Sequence, residues 1–219
     1  MNMLERVYSL GRNLEHDPAS RGFRAALAPV VLTVSHYHYG VALDQGQLGS
    51  CTGNAMAQCL NTKPLGIRGG KRLSETDAVD LYSQATQVDE YSGSYPPEDT
   101  GSSGLAVAKA AITLGYINAY HHAFGIDEVL AALTLGPVIV GTNWYEGMFT
   151  PTRDFVTPTG KIAGGHEYLL LGLNTKHKTV TALNSWGTGW GMHGRFKMTW
   201  PTLDRLLSED GDCTVPIRS

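Results

Sequence analysis

The sequence predicts an α+β protein, with helices in its first half and strands in its second half. Apolar residues recur at helical spacing between about residues 51 and 115, whereas β-rich runs dominate after residue 137. Turn-forming glycines and prolines separate these segments. This order favours two lobes with a cleft between them. With 219 residues and 42% hydrophobic content, the chain is long enough to bury a sizeable core.

Helix signals divide the first part of the chain. The first helix begins at Cys51, Ser74 is the expected N-cap of the second, and Ser102 or Ser103 caps the third. The helices are predicted over about 51–62, 75–87, 103–115 and 127–134, with a short last helix from Trp200. Strands are predicted over about 30–34, 138–142, 167–173, 179–184 and 195–199. We expect a single domain: an N-terminal strap (1–40), a mainly helical lobe (41–115) and a mainly β lobe (116–219).

Charge and cysteine content narrow the possible partners and the compartment. The net charge is −3 without a long run of one sign, so we expect neither nucleic acid nor a membrane as partner. No signal peptide or membrane span is evident. Three cysteines are too few for a disulfide framework, although a bond between Cys59 and Cys213 stays open. A cytoplasmic, reducing location is expected.

Two histidines raise the question of a metal site. His36 and His38 would face the same side of a strand, but no third ligand lies near them in the sequence. A surface role is therefore favoured. We expect neither a metal nor a cofactor.

A glycine-punctuated loop leads into Cys51 and places this residue at the start of a helix. Unpaired N–H groups and the helix dipole stabilise negative charge there, which lowers the pKa of a thiol. Taken alone, a cysteine at a helix start is more often a packing residue than a catalytic one. His166 stands at the entrance of an apolar strand, and Asn184 opens a glycine-rich turn with two tryptophans. Each of these residues also has a purely structural interpretation.

Together, these segments resemble the papain-like cysteine peptidases. Gln45-Gly46-x-x-Gly49-Ser50-Cys51 is similar to the segment with the oxyanion glutamine and the nucleophile, and Gly165-His166 to the histidine strand. The turn from Asn184 to Gly191 reproduces the family's asparagine turn nearly letter for letter. Leu48 stands where secreted members have a disulfide cysteine, and Thr52 replaces the usual aromatic residue. Both departures suit an intracellular bacterial, archaeal or phage-type branch.

The resemblance implies a two-lobed papain-like fold, with a helical left lobe, an antiparallel β-barrel-like right lobe and the active site in the cleft. It also implies a cysteine endopeptidase acting on peptides or proteins. Cys51 would be the nucleophile, His166 the general base and acid, and Asn184 the residue that orients the histidine. Gln45 and the backbone N–H of Cys51 would form the oxyanion hole. The positions implied for substrate binding are Gly101, Ser102, Gly165, Glu167 and Trp186.

Glu167 follows the catalytic histidine, where the family usually has a small apolar residue. In the pocket for the second substrate side chain upstream of the scissile bond, its carboxylate would favour Arg or Lys. The alternative is that Glu167 points out of the cleft and pairs with a surface lysine.

The N-terminal strap is too short to resemble the family's inhibitory pro-segment, so we expect the full-length chain to be active without processing. Two other functions stay open. One is another Cys-His acyl-transfer enzyme, such as a transglutaminase or a cell-wall amidase. The other is a binding protein that keeps the fold without the chemistry.

Overall fold

A computed structural model describes residues 8–15, 17–25, 31–66 and 70–218. Within these ranges, its five α-helices are α1 (Cys51–Leu60), α2 (Glu75–Thr86), α3 (Gly104–Thr113), α4 (Gly125–Leu135) and α5 (Trp200–Ser208). Short 3₁₀ turns cover Pro18–Gly22 and Glu146–Phe149. None of the helices in the described ranges has the length and apolar character needed to cross a lipid bilayer.

Seven strands pair in one antiparallel sheet in the described part of the chain. They are β1 (Val34–Ser35), β2 (Ala119–His122), β3 (Val138–Tyr145), β4 (Ile162–Asn174), β5 (Thr179–Leu183), β6 (Arg195–Thr199) and β7 (Asp212–Ile217). The order is β2-β7-β3-β4-β5-β6, and β1 pairs with β4. The long strand β4 therefore lies near the centre of the sheet.

The sheet separates two hydrophobic clusters, because successive residues of a strand face opposite sides. On β4, Leu169 and Leu171 pack with helices α1, α2 and α3. Tyr168 and Leu170 pack on the other side with α4, α5 and an aromatic group that includes Trp144 and Trp186. Because of the same alternation, the consecutive residues His166 and Glu167 of β4 face opposite sides of the sheet: His166 faces the tryptophans, and Glu167 faces the start of α3.

Side-chain caps define the helix starts that the sequence predicts. Ser74 and Asp77 form a reciprocal capping box at the start of α2. At α3, Ser103 is the cap, and its Oγ accepts a hydrogen bond of 2.9 Å from the backbone N–H of Ala106. These caps satisfy N–H groups that have no partner within the helix.

Local sequence signals do not predict three of the short strands correctly. β2 and β7 were not predicted; β2 contains polar and histidine residues, and β7 contains Pro216. They pair with each other, so tertiary pairing overrides their weak local strand preference. Only Val34 of the predicted 30–34 strand belongs to β1, and Val30 lies outside the described residues.

Cys59 and Cys213 are buried free thiols, so they do not form the disulfide that the sequence left open.

We expect Gly53→Ala to destabilise the fold by about 1–3 kcal/mol. Gly53 lies in α1 where this helix packs on α2, and a Cβ there would collide with the carbonyl oxygen of Ala78 and lie 2.8 Å from the backbone nitrogen of Tyr82. Thermal unfolding checks the prediction. Gly22→Ala is the matched control, since a Cβ at Gly22 meets nothing within 4 Å. An unchanged melting temperature for Gly53→Ala would contradict this close packing.

Candidate active site

Cys51 is the first residue of α1 and is fully buried. The helix has no side-chain cap, because Ser50 makes no capping hydrogen bond at this end. The backbone N–H of Glu167 lies within hydrogen-bonding reach of the Cys51 thiol. The start of α1 in the helical lobe therefore meets the start of β4 at the junction of the two lobes.

The ring of His166 is held in one orientation by Asn184. Nε2 of His166 lies 2.7 Å from Oδ1 of Asn184, which also accepts a hydrogen bond of 2.8 Å from the backbone N–H of Ser185. An amide oxygen can only accept, so the proton of the neutral imidazole belongs on Nε2. Nδ1 then presents its lone pair, and this buried atom has no hydrogen-bond partner in the described residues. That tautomer is the one a general base requires.

Two indole rings enclose the pair of His166 and Asn184. The ring of Trp186 stacks on His166 with centroids 4.7 Å apart, and Trp144 approaches edge-on at 4.9 Å. Both tryptophans are fully buried. They exclude water from the bond between the imidazole and the amide, which strengthens that bond.

The side chain of Gln45 is held at both ends of its amide. Its Oε1 accepts a hydrogen bond of 2.6 Å from the hydroxyl of Ser185. Its Nε2 donates to the carbonyl of Leu48 at 2.8 Å and to the carbonyl of Ser9 at 3.2 Å. The Gln45 amide nitrogen thus binds two carbonyl oxygens, and contact with a carbonyl oxygen is the kind that an oxyanion donor makes.

Ser9 belongs to a stretch of the N-terminal strap that lies across the site, residues 8–15, here called the covering segment. The backbone N–H groups of Gly11 and Arg12 donate to the carbonyl of Gly165 at 3.2 and 3.0 Å. The backbone N–H of Asn13 donates to the carbonyl of Ser102 at 2.7 Å, and the backbone N–H of Ser102 donates to the carbonyl of Gly11 at 2.8 Å. The covering segment therefore pairs with both lobes and bridges them.

Every position that the sequence implies for substrate binding meets the covering segment. Ser102 and Gly165 make the backbone pairs just described, and Trp186 donates from its indole to the carbonyl of Ser9 at 3.2 Å. Gly101 has a φ of +69° and lies so close to Gly11 that a Cβ would press on that residue's carbonyl. The fifth position, Glu167, interacts electrostatically with Arg12.

Burial changes the charge of both Cys51 and His166. It raises the pKa of the Cys51 thiol to about 12, against smaller opposing contributions from the backbone N–H of Glu167 and from Arg12. Burial also lowers the pKa of His166 to about 4, although the bond to Asn184 acts in the opposite direction. Both groups are therefore neutral at pH 7. The lowered thiol pKa expected at a helix start is not found in this covered form, because desolvation outweighs the helix terminus.

Glu167 is fully buried and does not reach a surface lysine. It lies beside two charged residues that belong to no recognisable sequence motif, Arg12 and Asp212. The guanidinium of Arg12 donates from Nε to Oδ2 of Asp212 at 3.1 Å and from a second nitrogen to the same oxygen. Only tertiary pairing brings these residues together, since Arg12 and Asp212 lie 200 positions apart. No local pattern in the sequence could have revealed them.

The fold resembles that of papain-like cysteine proteases. Xylellain, a cysteine protease from Xylella fastidiosa, superposes with a TM-score of 0.72 at 17% identity, with 100% of both chains covered. A digestive procathepsin L of Tenebrio molitor gives 0.68 at 15% identity, covering 95% of this chain and 75% of the other. A procathepsin B from Trypanosoma congolense gives 0.62 at 13%, covering 95% and 86%. The chain therefore has the papain-like α+β fold that the sequence predicts.

Sequence comparison gives a more limited match. No protein-family model matches the chain. An uncharacterized peptidase C1-like protein of Acanthamoeba polyphaga mimivirus is 32% identical over 96 residues. This match spans 39% of the present chain and 30% of the viral protein, well under two thirds of its length.

Proposed function

We propose that the chain is a cysteine endopeptidase of the papain type that is latent while the covering segment is in place. The observation that carries this proposal is the arrangement of His166: its Nε2 is bound by Asn184, while its buried Nδ1 has no hydrogen-bond partner among the residues that the structure describes. This nitrogen is available to a proton donor, and Cys51 begins the helix that packs against the same strand.

The proposed reaction assigns one step to each group. Nδ1 of His166 takes the proton of the Cys51 thiol, and the sulfur attacks the carbonyl carbon of the scissile peptide. The Gln45 amide and the Cys51 backbone N–H donate to the oxyanion. His166 then gives its proton to the leaving amine, and a thioester remains on Cys51. Water activated by His166 hydrolyses this thioester and restores the thiol.

Latency follows from the position of the covering segment. A substrate needs the contacts with Gly165, Ser102 and Trp186 that residues 9–13 already make. This replaces the expectation that the full-length chain is active without processing. Displacement of the segment admits water as well as substrate, which favours the thiolate–imidazolium pair that burial opposes. The three buried free thiols agree with the proposed cytoplasmic location.

Cleavage of a peptide library followed by mass spectrometry tests the activity. We expect new termini after the covering segment is displaced, and none in a Cys51→Ala control. An added primary amine separates hydrolysis from acyl transfer, because a transglutaminase would couple the amine to its substrate. Amine adducts without hydrolysis would overturn the peptidase proposal.

We expect Gln45→Ala to lower kcat by about 10²–10³-fold with a modest change in KM, because the lost N–H stabilises charge that develops only in the transition state. Steady-state kinetics on the uncovered enzyme measures both constants. Gln47→Ala is the matched control, being an exposed glutamine two positions further along the loop. An effect confined to KM would reassign Gln45 to substrate binding.

A further inference from the structure

Two carboxylates lie side by side in the middle of the sheet. Glu167 of β4 and Asp212 of β7 are both register partners of Gly141 on the intervening strand β3. Gly141 has no side chain to separate them: a Cβ there would lie 2.5 Å from Oε2 of Glu167 and 2.9 Å from Oδ2 of Asp212. Gly104 at the start of α3 lies on the other side of the two carboxylates, where a Cβ would be 2.8 Å from Oε1 of Glu167 and 2.9 Å from Oδ1 of Asp212. Strand register and two glycines thus build a small acidic pocket.

The side chain of Arg12 fills this pocket. Arg12 is only 6% exposed, and its guanidinium donates to Asp212 and to the carbonyl of Asp210. A Cβ on Gly141 would lie 2.7 Å from Nε of Arg12, so the glycine also makes room for the guanidinium. The covering segment therefore presents one long basic side chain to the two carboxylates.

The pocket needs a cation. Glu167 is completely buried and neither of its carboxylate oxygens has a hydrogen-bond partner in the described residues. Burial and the neighbouring charge of Asp212 raise its pKa, and Arg12 acts in the opposite direction. Without a guanidinium or ammonium group, two acidic groups would share a site with no counter-charge, which is costly.

We propose that this pocket selects a basic side chain in substrates and that Arg12 holds the covering segment by occupying the same pocket. The selectivity half of this inference rests on the proposed peptidase function, and it names the substrate class: peptides with Arg or Lys close to the scissile bond on its N-terminal side. Arg12 adjoins Gly11, which packs on Gly49 of the nucleophile loop, so the pocket lies within one or two residues of the reacting bond. Latency and selectivity then depend on one pair of carboxylates.

The selectivity is tested with two blocked fluorogenic dipeptide amides. Both have the same residue at the scissile bond; the residue that precedes it is Arg in one peptide and Leu in the other. The enzyme is the full chain carrying Gly11→Val to displace the covering segment. We expect kcat/KM to favour the Arg peptide by at least about tenfold, since charge-assisted hydrogen bonds are the strong ones. Asp212→Asn should reduce that ratio about tenfold, and the control Asp210→Asn, at an exposed carboxylate, should leave it in place.

A binding readout keeps this test separate from the peptidase proposal. The same two peptides are used to protect Cys51 from iodoacetamide, which requires occupancy of the site but no hydrolysis. Stronger protection by the Arg peptide without any turnover would support the pocket and overturn the peptidase function. Equal protection and equal turnover by both peptides, unaltered in Asp212→Asn, would overturn the pocket.

The latency half is tested in the full chain with its native Gly11. Arg12→Met keeps the length of the side chain but removes its charge, so we expect alkylation of Cys51 to become at least about tenfold faster. Arg12→Lys should restore slow alkylation, because an ammonium group satisfies the same carboxylates. Circular dichroism checks that both variants are folded. Equal alkylation rates in the wild type and Arg12→Met would refute a role of this side chain in holding the segment.

Discussion

Gly11→Val is expected to accelerate the alkylation of Cys51 by iodoacetamide at pH 7 by at least about 100-fold, because it displaces the covering segment. Gly11 packs directly on the backbone of Gly49, and any Cβ at this position would overlap the Gly49 carbonyl. The obstacle is backbone of the loop that leads into Cys51, and it cannot rotate away as a side chain could. Displacing residues 8–15 is easier than shifting that loop, which Asp99 anchors through hydrogen bonds of 3.1 and 2.9 Å to the N–H of Gly49.

The size of the effect comes from protonation as well as access. With a thiol pKa of about 12, the covered protein has very little thiolate at pH 7. Exposure to water and to His166 restores the conditions under which catalytic cysteines ionise near or below neutral pH. In the covered form, alkylation should rise only at strongly alkaline pH, whereas in Gly11→Val it should already be fast at mildly acidic pH.

Gly22→Val is the matched control for this experiment. It lies in the same N-terminal strap, but its Cβ would meet nothing within 4 Å. Alkylation should therefore be as slow as in the wild type. If Cys51 reacts equally fast in wild type, Gly22→Val and Gly11→Val, the covering segment does not limit access and the proposed latency is wrong.

His166→Ala in the Gly11→Val background is expected to lower kcat/KM by about 10²–10⁴-fold, the usual contribution of a general base. The substitution removes the nitrogen that we propose takes the thiol proton, and with it the imidazolium partner proposed for Cys51. The pH dependence of alkylation separates this role from a structural one: the thiol of the variant should titrate near the ordinary value of about 8.5. His177→Ala, at an exposed position on the loop after β4, is the control.

A retained rate would show that another group activates the thiol. His122 is the natural candidate, because its buried Nε2 also has no hydrogen-bond partner in the described residues. His122 ends β2, which pairs with β7 rather than with β4, the strand that carries His166. We therefore expect His122→Ala to leave the alkylation profile as it is in the uncovered parent.

Local signals in the sequence predict the parts of the fold that depend on local interactions. Capping residues and helix-ending residues predict where α2, α3 and α4 begin or end to within about two residues. The signals are the caps Ser74 and Ser103 and the Gly136-Pro137 pair after α4. The short strands β2 and β7 pair with each other, and the sequence does not predict either of them. The Asn184 turn and the residue order predict the fold because they carry a recognisable pattern over short stretches.

The covering segment and the acidic pocket could not be predicted in the same way. Residues 8–15 contain no helix or strand signal, and their place is fixed by backbone pairs with Gly165 and Ser102, far along the chain. Arg12 and Asp212 meet only because β7 lies beside β3 in the sheet. Glu167 was singled out from its neighbour His166, but its burial depends on which face of β4 it occupies.

The covering segment also has a chemical consequence for storage of the protein. Peroxide oxidises the thiolate form of cysteine first, and the later steps to sulfinic and sulfonic acid are irreversible. Cys51 is fully buried and its pKa is raised to about 12, so the covered chain offers oxidants neither access nor a thiolate. A cell could therefore keep a reserve of this protein through an oxidative burst and still recover a reduced, reactive thiol when the segment is displaced.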